Sequence, residues 1–200
     1  MITKTPPSEV ERRVNVGNIE IRNTAKAPRI VGHAALFNSL SADLGGFRER
    51  FMPGCFREAI IRDDVRALQN SDANRVLGRT RAGTLRLRED ALGLAAEIDL
   101  PNTSTAADLL KLMARGDVDQ LSLSFRVAKA DQSWARTGKD GPWVRSIHRV
   151  TRLHDVSVST YAEQAETSAA VRQLRAHQVR SPAAASRERL LSLLEIRPNL

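Results

Sequence analysis

The feature that most constrains this chain is a series of short apolar segments between residues 65 and 100, each bounded by polar or turn residues. Residues 65–68, 75–77, 83–87 and 92–100 read as strands, and the gaps between them are too short for the helix that a parallel crossover needs. They read as a run of β-meander. Residues 29–37 (RIVGHAALF) and three later segments, 120–129, 143–150 and 152–160, read as further strands. Val14, Val16, Ile19 and Ile21 flank Gly17-Asn18, a two-residue connection that suits a tight opening hairpin. Residues 39–50, with Gly45-Gly46 and several polar side chains, read as a loop.

Helices are fewer. Pro53 stands near the start of a segment in which Phe56, Ile60 and Ile61 have the spacing of one helical face. A second helix is expected over 106–115, with capping candidates in Asn102-Thr103-Ser104-Thr105 and with Leu109, Leu110, Leu112 and Met113 along one side. Gly116 closes it. The expected fold class is mainly β with a few helices (α+β), as a barrel or sandwich rather than a βαβ fold.

Two hundred residues with 42% apolar content suffice for one core. The single cysteine, Cys55, excludes an intrachain disulfide, and no apolar run is long enough to span a membrane. A soluble chain in a reducing cytoplasm is the expectation. The formal charge of +8 invites nucleic acid, but the arginines are mostly dispersed, as in Arg86-Leu87-Arg88-Glu89, and aromatics make up only 4%. Solvated strand faces account for such charge better. One cysteine and four scattered histidines provide no metal-ligand spacing, and no phosphate-cradling loop is present, so no cofactor is implied. Trp134 and Trp143 read as packing or lid residues.

Hydroxyls gather in two strands. Alternation in DQLSLSFRV (119–127) puts Leu121, Leu123, Phe125 and Val127 on one face and Ser122, Ser124 and Arg126 on the other. The same rule puts Asp155, Ser157 and Ser159 opposite His154, Val156 and Val158. Serines on the wet face of an edge strand are the commoner meaning of such a pattern, and a solvated carboxylate is the commoner meaning of Asp155. A nucleophile oriented through a carboxylate is the sharper one.

Six motifs in order resemble the tailed-phage (caudoviral) prohead protease family. They are GHAALFN (32–38), GGFRERFMPGCF (45–56), VLGRT (76–80), ARGDV (114–118), LSLSF (121–125) and LHDVSV (153–158). The resemblance implies a closed β-barrel wrapped by helices, like that of the herpesvirus assembly protease. It also implies a serine endopeptidase enclosed in the immature capsid, in the host cytoplasm, that trims the scaffolding region from the capsid protein and then cleaves itself. Its partners would be the major capsid protein and its own chain. On that resemblance Ser122 is the nucleophile, and Asp155 falls where the family has a carboxylate beside its third catalytic position. The departure is Asn70-Ser71-Asp72, where the family usually carries Asn-His-Asp. A hydroxyl cannot replace imidazole as a base near neutral pH.

His33, His148, His154 and His177 offer no convincing substitute: His177 lies in the tail, and alternation sends His154 away from Asp155. A substitute base, natural decay and deliberate replacement of the histidine remain the three explanations, the last fitting best because Asn70, Asp72, Gly78, Arg79 and Ser122 keep the pattern. The expected organisation is an N-terminal tail (1–11), a protease domain (12–174) and a basic tail (175–200) with a possible short helix over 187–196.

Overall fold

The computed structural model describes residues 9–15, 19–23, 28–138, 141–161 and 174. Twelve strands are seen among them: β1 (Glu11–Asn15), β2 (Glu20–Asn23), β3 (Pro28–Leu36), β4 (Phe47–Phe51), β5 (Arg66–Gln69), β6 (Asp72–Arg79), β7 (Leu85–Glu89), β8 (Gly93–Asp99), β9 (Gln120–Arg126), β10 (Gln132–Arg136), β11 (Trp143–Ile147) and β12 (Arg152–Ser159). Helix α1 covers Arg57–Arg62 and α2 covers Ser104–Arg115. Among the described residues the fold is mainly β with few helices.

The strands form three sheets, ordered β1-β9-β12-β5-β6, β2-β3-β8-β7 and β10-β11-β4. None closes on itself among the described residues, so the expected closed barrel is not found. β3 lies against β1 and β9, and apolar residues of the two larger sheets share one core that includes Ile30, Leu94, Ile98, Leu121, Leu123, Phe125, Val156 and Val158. Phe51, Phe56 and Phe125 meet within it at centroid separations of 5.0 and 5.3 Å.

The opening hairpin is also corrected. β1 pairs with β9 and β2 pairs with β3, each in a different sheet; Val16 and Gly17-Asn18 lie outside the described residues. Two-residue spacing suits a hairpin, but each segment finds a longer apolar partner strand instead. The loop expected over 39–50 contains the start of β4, which pairs in parallel with β11. β10 has no counterpart among the expected strands, because its alternation QSWAR carries one apolar anchor, Trp134. Phe56 just before α1 and Ala59 within it are buried and Ile60 packs on the core, while Ile61 is 82% exposed, so of the three expected apolar residues only Ile61 turns outward.

Of the expected meander, β5 pairs with β6 and β7 with β8, but β6 and β7 stand at the edges of two different sheets, so it is broken between them. Thr103 caps α2, its side chain accepting from the Ala106 amide at 3.3 Å, and Gly116 ends the helix with φ of 82°. Gly93 is required by a close approach: a Cβ there would stand 1.9 Å from the Ala35 carbonyl oxygen, where β3 bulges between His33 and Ala35.

Between the five- and three-stranded sheets lies a buried quartet of charges. Arg145 bonds Glu11 at 2.5 and 2.9 Å and Glu49 at 3.0 Å, and Arg13 bonds Glu49 at 2.5 and 2.9 Å and Glu11 at 2.9 Å. All four side chains are almost wholly buried. Burial alone would raise the Glu49 carboxyl, but Arg13 and Arg145 together outweigh it and hold the group below its ordinary value of 4.5. A carboxylate depressed in this way stabilises the fold above that value, and the contribution is lost as pH falls through the folded-state pKa. Glu49→Ala is expected to cost about 3–5 kcal/mol in urea unfolding at pH 7, because it leaves two buried guanidinium groups sharing the single carboxylate of Glu11. A loss within about 0.5 kcal/mol, the range of surface substitutions, contradicts a structural role for the quartet.

Candidate active site

β9 sits between β1 and β12, and it is buried on both faces. The alternation is as expected, but the hydroxyl face is not wet: Ser122 is 4% exposed, Ser124 2%, Ser157 0% and Ser159 4%. Short side chains in the middle of a wide sheet are overhung by longer neighbours, so exposure cannot be read from polarity alone.

β12 runs antiparallel to β9 with Ser157 opposite Ser122 and Asp155 opposite Ser124. The register shifts between Leu153 and Asp155, so His154 is the extra residue of a β-bulge. The bulge lets Leu153 face the core while Asp155 keeps the serine face. It also ends the simple alternation from which the orientation of His154 is read.

Two hydrogen-bonded chains result. Ser122 Oγ and Ser159 Oγ stand 2.7 Å apart. Ser71 Oγ reaches Ser157 Oγ at 3.4 Å, and Ser157 Oγ donates to Asp155 Oδ1 at 2.8 Å. Asp155 therefore meets position 71 through an intervening hydroxyl, and no hydrogen bond among the described residues links Ser122 to Ser71 or to Asp155. Cross-strand pairing nonetheless sets Ser122 beside Ser157. Ser157 and Ser159 share the expected polar face, but the sequence alone did not mark them as the partners of Ser71 and Ser122; their alternation with Val156 and Val158 was the available signal.

Position 71 is in the β5–β6 turn rather than on a strand. Gln69 pairs with Asp72, and Asn70 and Ser71 have φ of 52° and 54°, as the two central residues of a type I′ hairpin require. Asn70 ties this turn to β12: its amide donates to the Val158 carbonyl at 2.9 Å, and its Oδ1 accepts from the Thr160 amide at 2.9 Å. Asparagine and histidine are among the few residues that tolerate φ above zero, so a histidine at 71 is compatible with the turn.

The other histidines stand apart from this arrangement. His33 is half-buried with Nε2 at 2.9 Å from Asp90 Oδ2, and His148 lies exposed after β11 with Nε2 2.8 Å from Ser133 Oγ. His177 lies outside the described residues, as does the tail from 175 onward. Trp134 and Trp143 pack with Phe47, Leu44 and Leu174. Among the described residues no group of three or more His, Cys, Asp or Glu is placed to hold a metal ion, and no helix is long and apolar enough to cross a membrane.

A mainly β chain with Ser122 across the strand pair from Ser157, and with Asp155 and the turn at position 71 bonded to that same Ser157, carries the nucleophile and carboxylate types of a serine-hydrolase site without their direct hydrogen-bonded order. The chain belongs to the Caudovirus prohead serine protease family, whose description it matches over residues 14–181. It is 26% identical over 159 residues to the prohead protease of Enterobacteria phage HK97, an alignment covering 76% of this chain and 64% of that relative. No solved structure matches the chain.

Burial lowers the pKa of His154, and Arg126 and Arg152 lower it further. Arg152→Gln removes one of those causes, so His154 is expected to titrate at a higher pH in NMR spectra of that variant. An unchanged titration would mean that Arg152 does not act on the imidazole.

Proposed function

We propose that this chain derives from a prohead maturation endopeptidase in which Ser122 attacks the peptide carbonyl, position 71 supplies the base, and Asp155 orients that base through Ser157. Its substrates on this reading are the scaffolding region of the major capsid protein and the chain itself, met inside the capsid precursor. What supports the reading is the convergence of Ser122, Ser157 and position 71 at one turn and one cross-strand pair. Nucleophile and base have defined tasks in acyl transfer, and Ser157 links position 71 to Asp155.

As it stands the chain is silent. The Ser71 hydroxyl is a poor proton acceptor near neutral pH, and Ser122 is already engaged with Ser159 rather than with a base. Loss of the histidine in a serine-protease triad lowers turnover by about 10⁶ in the subtilisin example. The second reading, a silent scaffold or assembly factor of the same fold, is favoured by the same Ser122–Ser159 contact. The basic tail at 175–200 would recruit either form into the growing shell.

Co-expression with the matching capsid protein, followed by mass spectrometry of the products, separates the two. Under the protease reading Ser71→His cleaves capsid protein and itself, and adding Ser122→Ala abolishes both. Intact capsid protein beside soluble Ser71→His protein would leave the scaffold reading standing.

A further inference from the structure

Beyond Ser124 the serine row ends among unmatched cations. The register puts Arg152 directly opposite Arg126, and Arg12 of β1 opposite Ser124. His154 bulges out close enough to feel both Arg126 and Arg152. Like charges in directly opposed cross-strand positions destabilise a sheet. Among the described residues Arg12, Arg126 and Arg152 form no salt bridge; Asp63 lies near enough to attract Arg152, but its carboxylate is bonded to Arg62 and to the Leu153 amide, and Asp155, the acid nearest them in register, is bonded to Ser157. Elsewhere the sheets match such groups, Arg29 and Arg86 with Asp99, and Arg79 with Asp64. The Nε atoms of Arg12 and Arg126 and Nε2 of His154 are shielded from solvent without a hydrogen-bond partner. Shielded polar groups of this kind ordinarily have one.

We propose that this end of the row is a subsite for the carboxylate side chains of an extended peptide, with Arg126 and Arg152 selecting acidic residues on one side of the bond presented to Ser122. The proposal rests on Ser122 being the nucleophile. Four residues of β9 separate Ser122 from Arg126, about 13 Å at the rise of a strand, so the selected acid stands about four residues from the scissile bond. Arginine favours carboxylates because its planar fork donates two parallel hydrogen bonds. A nucleic acid is the less suitable occupant: the row has no aromatic side chain on which a base could stack.

The test uses the chain with Ser71 in place, which binds without cutting. Two fluorescein-labelled peptides of alanine and serine, one with a pair of glutamates and one with glutamines in their place, are titrated by fluorescence anisotropy, beside a labelled single-stranded DNA. The glutamate peptide is expected to bind about tenfold more tightly than the glutamine peptide, as charge-assisted bonds from arginine would give. The double variant Arg126→Gln, Arg152→Gln should erase that preference and leave the glutamine peptide unaffected. Arg48→Gln with Arg57→Gln, at exposed positions, lowers the net charge equally and should preserve the preference. Arg152→Gln alone, also exposed, should weaken it with no demand on folding.

Equal binding of the two peptides, or no binding of the glutamate peptide up to about 1 mM, the weak end of specific affinity, overturns the subsite. So does a preference that survives the double variant or vanishes equally in the control pair. DNA binding that depends on Arg126 and Arg152 while peptide preference does not would assign the cations to nucleic acid instead. Cleavage restored by Ser71→His without acid preference sinks the subsite alone. Acid preference without restored cleavage sinks the catalytic reading alone.

Discussion

The pairing of Glu11 and Glu49 with Arg13 and Arg145 is the interaction on which the arrangement of the sheets depends. Glu11 and Arg13 belong to β1, Glu49 to β4 and Arg145 to β11, so the four charges fasten the three-stranded sheet to the edge of the five-stranded one. Such a cluster is tolerable in the interior only because every member is satisfied by others; a hydrophobic replacement of the whole would be easier to accommodate than the loss of one member. β1 is held through its core-side face by this cluster and along its edge by β9. The strand that carries Ser122 is thereby kept in register from outside as well as by its pairing with β12.

Register then does the chemical work. Because side chains alternate with period two, a slip of one residue would send the serines to the core and the leucines to the polar face. The pairing that opposes Ser157 to Ser122 is secured by Val156, Val158, Leu121 and Leu123, all buried on the other face. Asn70 clamps the β5–β6 turn onto the end of β12 and brings position 71 to Ser157. Packing on one face of the sheet thus positions polar groups on the other.

Much of this is legible in the residues themselves. The β5–β6 and β7–β8 hairpins, helix α2 with its Thr103 cap and Gly116 stop, and the sharing of a face by Ser122 and Ser124 and by Asp155, Ser157 and Ser159 follow from local patterns, which act over a few residues, whereas the split of β6 and β7 into separate sheets does not. The partners of β1 and β2, the parallel pairing of β4 with β11, and the bulge at His154 depend on segments far apart in the chain, and no local period encodes them. Burial of the serine face is another such case. Polarity alone suggests a wet surface for Ser122, whereas its neighbours across three strands decide its exposure. Position 71 was legible as a departure in type, but only the φ values of Asn70 and Ser71 show it in a turn.

On the proposed reading Ser122 is a nucleophile whose base is missing at position 71. A fluorophosphonate probe reports this without any knowledge of the substrate, since it labels a serine hydroxyl only when a neighbouring base activates it. Peptide mapping by mass spectrometry should find the label on Ser122 in Ser71→His protein and none in the chain carrying Ser71. Label on a different serine, or equal labelling of Ser122 in both proteins, would contradict the account.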